Sequence, residues 1–176
     1  MRVIAGSRRG ARLVAPRGAA TRPTSDRVRE ALFSILRDVS GLAVLDLFAG
    51  SGALGIEALS RGAASAVLVD SSAGAIRAIE RNLSALGLTA EVRRRRALDY
   101  LEAARSAARQ YDLVFLDPPY RHTSSLGRPL STALAPVLAP DARVVAESDR
   151  RAPLELDQPL LDERRYGDTL IRIYGP

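Results

Sequence analysis

Two carboxylates, each closing an apolar run, carry the chemistry of this chain: Asp46 in Asp46-Leu-Phe-Ala-Gly50-Ser-Gly52, and Asp117 in Asp117-Pro118-Pro119-Tyr120. Gly50-Ser-Gly52-Ala-Leu-Gly55 has the spacing G-x-G-x-x-G, which lets backbone approach a ligand closely between a strand and a helix. Alone it fits any dinucleotide. A carboxylate at the preceding strand end repels a pyrophosphate and welcomes a ligand bearing an ammonium and a sulfonium. S-adenosylmethionine (SAM) carries both and has no phosphate. Asp70 ends the next apolar run, about twenty residues on, where an acid can take both ribose hydroxyls of SAM or of NAD. It could instead cap a helix beginning near Ala73.

The second motif suits the other reactant. Two prolines fix the backbone and remove two N–H donors, so the Pro118 carbonyl points in one direction. The amine of a nucleobase has its lone pair delocalised into the ring. Accepting its two N–H bonds, from the Asp117 carboxylate and the Pro118 carbonyl, turns that lone pair toward a methyl donor. Positioning then dominates the rate, and the acceptors stabilise the developing ammonium. Tyr120 offers a face for a base removed from its stack. His122, the only histidine, lacks metal-ligating neighbours and reads as a solvated loop residue. No metal is expected.

These residues need a strand-and-helix framework, and the pattern supplies one. A short hairpin is expected near Ser7–Gly10, then a helix capped by Thr24 or Ser25 with Val28, Ala31, Leu32, Ile35 and Leu36 on one face, ending at Gly41. Strands 43–48, 66–70, 90–94, 112–116 and 143–147 alternate with helices 53–61, 73–86, 98–109 and 126–138. Segments 160–166 and 169–174 form a closing hairpin at Gly167-Asp168. The alternation predicts an α/β fold with a parallel sheet covered by helices on both faces, and the hairpin predicts an antiparallel edge.

The 176 residues, 47% of them apolar, can build one domain with a core. No apolar run reaches membrane-spanning length and no secretory signal is apparent, so a cytoplasmic protein is expected. The absence of cysteine excludes disulfides, thiolate metal sites and methylation of a pyrimidine carbon through a Cys adduct. The net charge is +6, and all of the excess falls in residues 1–30, which hold eight arginines against Asp26 and Glu30. We expect residues 1–21 to form a basic RNA-binding extension and residues 22–176 the catalytic domain. The run Arg93–Arg96 reads as a solvated edge.

With these residues in place the chain resembles the RsmD family, bacterial 16S ribosomal RNA guanine-N2 methyltransferases of the guanine-966 type. The resemblance covers Arg2-Val-Ile-Ala-Gly6, Arg22-Pro-Thr-Ser-Asp-Arg-Val-Arg-Glu-Ala-Leu-Phe33, Asp46 to Gly55, Glu57-Ala-Leu-Ser-Arg-Gly62 and Asp117-Pro-Pro-Tyr120. It implies a Rossmann-like class I methyltransferase with a seven-stranded sheet. Asp46, Phe48, Gly50 and Gly52 would line the methionine end of SAM, Asp70 and Ser71 its ribose, and Thr24 would lie near cofactor and target base. Asp117, Pro118, Pro119 and Tyr120 would hold the guanine. Arg8, Arg9, Arg12, Arg22 and Arg27 would meet RNA, and the substrate would be a small subunit or assembly intermediate whose ribosomal proteins complete it. Arg96 stands where such enzymes place an acid to read adenine. Backbone at Ala97 and Leu98 is expected to take that role, with Asp99 the alternative.

Three rivals remain open. An NAD-dependent oxidoreductase shares the glycine pattern but leaves Asp46 and Asp117–Tyr120 without a role. An RNA-binding module without catalysis would not need Asp117. An adenine-N6 methyltransferase keeps the chemistry and changes the base.

Overall fold

A computed structural model describes residues 1–16, 25–119 and 123–176. Seven strands form one sheet in the order β3-β2-β1-β4-β5-β7-β6. They are β1 (Ala43–Asp46), β2 (Ser65–Asp70), β3 (Glu91–Arg94), β4 (Tyr111–Leu116), β5 (Leu138–Asp149), β6 (Leu160–Tyr166) and β7 (Thr169–Tyr174). β1 to β5 run parallel, and β7 joins antiparallel between β5 and β6. The helices are α1 (Asp26–Leu36), α2 (Ala53–Ser60), α3 (Ala73–Leu86), α4 (Ala97–Ser106) and α5 (Thr123–Leu134). This is the expected Rossmann-like class I methyltransferase architecture.

Side-chain alternation along the strands divides the core in two. Val44, Leu68, Phe115, Val145 and Ile171 face a layer containing residues of α1, α2 and α3. Leu45, Val67, Val114, Leu116 and Ala146 face α4 and α5. The N-terminal segment belongs to the first layer. Arg2 and Arg12 bridge antiparallel, Val3 N–H donates to the Ala11 carbonyl, and Gly6–Arg8 makes a 3₁₀ turn between them. Val3 and Leu13 are buried in the same core as α1 and α2. The 21/22 boundary expected for the extension lies outside the described residues.

Several boundaries differ from the sequence reading: β1 ends at Asp46 rather than 48, α4 at Ser106 rather than 109, and the ends of α1 and β5 follow contacts distant in sequence. α1 stops at Leu36 rather than Gly41, with Arg37 at φ 59°. Arg143 of β5 donates a guanidinium N–H to the Leu36 carbonyl, satisfying a group the helix end would otherwise leave open. β5 begins five residues earlier than predicted, at Leu138. Pro140 and Asp141 look like turn residues, but a register shift opposite Tyr111 and Leu113 admits them to the strand. α5 begins at Thr123 and gives way to a 3₁₀ turn at Ala135–Val137.

Candidate active site

Asp46 ends β1, Asp70 ends β2 and Asp117 follows β4 directly, so all three carboxylates stand at the C-terminal edge of the parallel strands. Asp46 pairs in register with Phe115, and Phe115 with Val145. Two residues on from these partners come Asp117 and Glu147, which the strand period places on the same face as Asp46. That face is the one covered by α1, α2 and the N-terminal segment.

After β1 the chain continues between its neighbours. Leu47 N–H donates to the Phe115 carbonyl at 3.1 Å and Ala49 N–H to the Val69 carbonyl at 3.0 Å. It then turns through Gly50 (φ 54°) and Gly52 (φ 79°) into α2. A Cβ on Gly50 would meet nothing nearer than the Phe48 carbonyl oxygen at 4.0 Å, so the turn leaves an open cradle there. A Cβ on Gly55 would lie 2.1 Å from Leu68 Cδ2, which fixes glycine at that position by packing.

Asp46 lies beneath this turn and is almost completely buried. Burial pushes its carboxyl up to about 7, and the nearby Asp70 charge adds to the effect, while the backbone N–H groups of Gly55 and Phe48 oppose it. A carboxylate whose function was to be satisfied by backbone donors would be shifted the other way. Asp46 instead presents negative charge that a neighbouring cation would restore. Asp70 is half-buried. It accepts from Gly50 N–H at 2.9 Å on one oxygen and from Ser72 N–H at 2.8 Å on the other. It is not the cap of α3. Ser72 is, accepting from Gly74 and Ala75 N–H. Each Asp70 oxygen retains acceptor capacity toward a ribose hydroxyl. Ser71 is exposed beside it, its carbonyl accepting from Arg94.

On the far side, α4 begins at Ala97 with Arg96 as its N-cap, and no side chain caps it. First-turn N–H groups, including those of Ala97 and Leu98, are therefore offered to a ligand acceptor. Both residues are half-buried, whereas Asp99 points into solvent on the first turn of α4. Phe48 is half-buried against the α4–α5 layer.

Asp117 is held well above the usual carboxylate range by burial first, then by the charges of Glu147 and Asp46. Pro118 is buried and Pro119 exposed. Tyr120 and His122 lie outside the described residues, as do Thr24 and Arg22. Among the described residues no group of three or more side chains could hold a metal ion. The arrangement sets a carboxylate suited to a cation, Asp46, beside one suited to hydrogen-bond donors, Asp117, at adjacent strand ends on one face of the sheet. That is a geometry for passing a group from one ligand to the other.

Residues 1–175 match the family described as conserved hypothetical protein 95. The chain belongs to this family, the RsmD family. It is 34% identical to the Haemophilus influenzae ribosomal RNA small subunit methyltransferase D, over 99% of this chain and 93% of that one. It is 40% identical to the Bacillus subtilis protein YlbH, provisionally named an rRNA methyltransferase, over 99% and 98%. Among solved structures, the Thermus thermophilus protein TTHA0928 superposes with a TM-score of 0.87 at 31% identity, covering 100% of this chain and 99% of that one. An rRNA methyltransferase of the RsmD family accordingly supplies the frame for the remaining site residues.

In this RsmD-family chain the N-terminal segment is bound tightly to the catalytic layer. Glu57, fully buried on α2, accepts from Ile4 N–H at 2.7 Å and Ala5 N–H at 3.0 Å and pairs with Arg61. Asn82, buried on α3, accepts from Val14 N–H at 2.8 Å and donates to the carbonyls of Val14 (3.0 Å) and Ser51 (2.9 Å). It thus joins the segment to the glycine turn. Arg29 is buried on α1 and donates to the Arg2 carbonyl and Asp26, so it is a structural member of the basic segment. Arg8 is half-buried, its Nε donating to the Leu86 carbonyl at the end of α3, whereas Arg9, Arg12 and Arg27 are exposed. Sequence reading passed over Asn82 and Glu147, and quoted Glu57 within a motif without giving it a role. Asn82 carried a signal: it interrupts an apolar stripe of Ala75, Ala78, Ile79 and Leu83, where a polar residue needs partners.

Proposed function

We propose that this protein transfers a methyl group from SAM to the exocyclic N2 amine of a guanine in 16S ribosomal RNA, within the small subunit or an assembly intermediate. The observation that carries the reading is the placement of Asp46 and Asp117 on one face at adjacent strand ends. Relatives named ribosomal RNA small subunit methyltransferase D support the substrate class.

Bound SAM would supply an electrophilic methyl on a sulfonium. Asp46 and the turn at Gly50 and Gly52 would hold its methionine end, Asp70 and Ser71 its ribose, and the start of α4 its adenine. Thr24 and Phe48 would close the pocket. Asp117 and the Pro118 carbonyl would accept the two amine hydrogens, directing the nitrogen lone pair along the line to the methyl carbon. Positive charge developing on the amine nitrogen as it takes the methyl would lie beside Asp117, which would stabilise it. Burial, reinforced by the charges of Glu147 and Asp46, makes Asp117 more basic than an ordinary carboxylate, which suits it to receive the departing proton. Pro119 stiffens the loop and Tyr120 would stack on the base. Arg9, Arg12, Arg22 and Arg27 would meet phosphates, with Arg8 contributing what its bond to Leu86 leaves free.

No helix among the described residues is long and apolar enough to cross a membrane. The proposed substrate places the protein in the cytoplasm, where ribosomal proteins would form part of its surroundings. Mass spectrometry of small-subunit RNA from cells lacking the protein tests the reading. One N2-methylguanosine should be missing, and purified protein with labelled SAM should restore it. A missing adenine-N6 or ring-carbon methyl, or an unaltered RNA, would overturn it.

A further inference from the structure

A groove of about 420 Å³ separates the N-terminal segment from the outer face of α3. Val14, Ala15 and Pro16 form one wall, and Arg77 and Arg81 stand on the other. The two arginines are one helical turn apart, hence about 6 Å along the axis. Both are exposed, and among the described residues neither has a carboxylate within ion-pairing distance, Glu80 on the same helix included. Other exposed arginines, Arg9, Arg12 and Arg27 among them, share this condition among the described residues, while a second group is paired. Arg2, Arg29, Arg61, Arg93, Arg109 and Arg172 all pair with carboxylates. Two unpaired like charges at this spacing repel within the free helix.

The groove is connected to the active site without being part of it. Its upper end is Gly74, in the first turn of α3, immediately after the tip that carries Asp70 and Ser71. Its other wall is fixed by Asn82, which also binds the Ser51 carbonyl in the glycine turn. Arg12 precedes Val14 by two residues on an extended segment whose intervening Leu13 is buried, so Arg12 and Val14 share a side. The groove is thus positively charged along its α3 wall, with Arg12 close beyond the apolar opposite wall and Ala78 buried between the two arginines, and its Gly74 end lies next to the sheet edge where methyl transfer is proposed.

We propose that this groove seats the sugar–phosphate backbone of the RNA substrate, with Arg77 and Arg81 each neutralising a phosphate. The inference rests on the reading that the substrate is RNA. The test is the double variant Arg77→Gln, Arg81→Gln in the full chain, with binding to unmethylated small-subunit RNA measured across a salt series. Glutamine keeps helix propensity, and an unaltered thermal midpoint and SAM affinity verify that the fold and cofactor site survive. The slope of log affinity against log salt should become shallower by roughly 1.4 to 1.8, the release expected for two phosphates. The loss in kcat/KM should fall on KM for RNA. A wild-type salt slope in the double variant overturns the groove, as does weakened binding without a slope change. Failure of the wild-type protein to methylate RNA at all would instead overturn the functional reading, so the two failures are distinguishable.

Discussion

Asp46 and Asp117 leave neighbouring parallel strands on the same face of the sheet, because Asp46 pairs with Phe115 and Asp117 follows two residues later. Burial raises the proton affinity of both; the charges of Glu147 and Asp46 add to the pressure on Asp117, and the charge of Asp70 adds to that on Asp46. A ligand-free site of this kind is under electrostatic stress that a cation relieves.

That stress has a pH signature. The folded chain holds Asp46 up to about 7, against an ordinary value of 3.8, so between those values the fold binds a proton that the unfolded chain releases. Stability from this group is therefore complete below about 4 and is lost as pH rises through about 7, by an amount on the order of a few kcal/mol. Urea unfolding of ligand-free protein at pH 5 and pH 8 should show wild type losing stability relative to Asp46→Asn over that interval. A constant difference between the two proteins would contradict the raised pKa. Stabilisation by SAM should be larger at pH 8, where Asp46 is ionised.

Gly50 and Gly55 should separate cofactor binding from folding. Gly55→Ala drives a Cβ to 2.1 Å from Leu68 Cδ2 and displaces the N–H that Asp46 accepts, and overpacking of this sort costs about 1–3 kcal/mol. Gly50→Ala meets open space, so its cost is the positive φ, roughly 1–2 kcal/mol. Its methyl occupies the cradle, so SAM affinity should fall more steeply for Gly50→Ala than stability does. Calorimetric titration beside thermal unfolding checks both, and equal losses in the two variants would mean the turn is structural only.

Asn82→Ala should loosen two places at once. It leaves the Val14 N–H and the Val14 and Ser51 carbonyls without their buried partner, a loss of about 1–3 kcal/mol per unsatisfied group where water cannot enter. Amide hydrogen exchange should quicken at Val14 and around the glycine turn together, while α5 exchanges as in wild type. Faster exchange confined to the N-terminal segment would show that the turn does not depend on it.

Much of this molecule was legible because local pattern and tertiary environment agree. α3 spans Ala73–Leu86 as its pattern indicates, and β6 and β7 meet at Gly167-Asp168 as their alternation implies. The strand-end carboxylates were visible because apolar runs locate sheet edges. What escaped depends on partners far along the chain. Arg143 stops α1 across 107 residues, and Asn82 reaches Val14 across 68. Glu147 acquires meaning only from the β4–β5 register, which no local pattern displays. Arg29 counted toward a basic segment in the sequence, yet it is spent inside the fold.

The division of labour between the two carboxylates is tested most directly by titrating SAM into wild type, Asp46→Asn and Asp117→Asn, with methyl transfer to unmethylated small-subunit RNA followed on the same samples. Asp46→Asn should bind SAM at least tenfold more weakly, the loss of one charge-assisted contact. Asp117→Asn should bind SAM as tightly as wild type or more so, yet lose turnover on the order of a hundredfold or more. Wild-type SAM affinity in Asp46→Asn, or wild-type turnover in Asp117→Asn, would contradict the roles assigned to them.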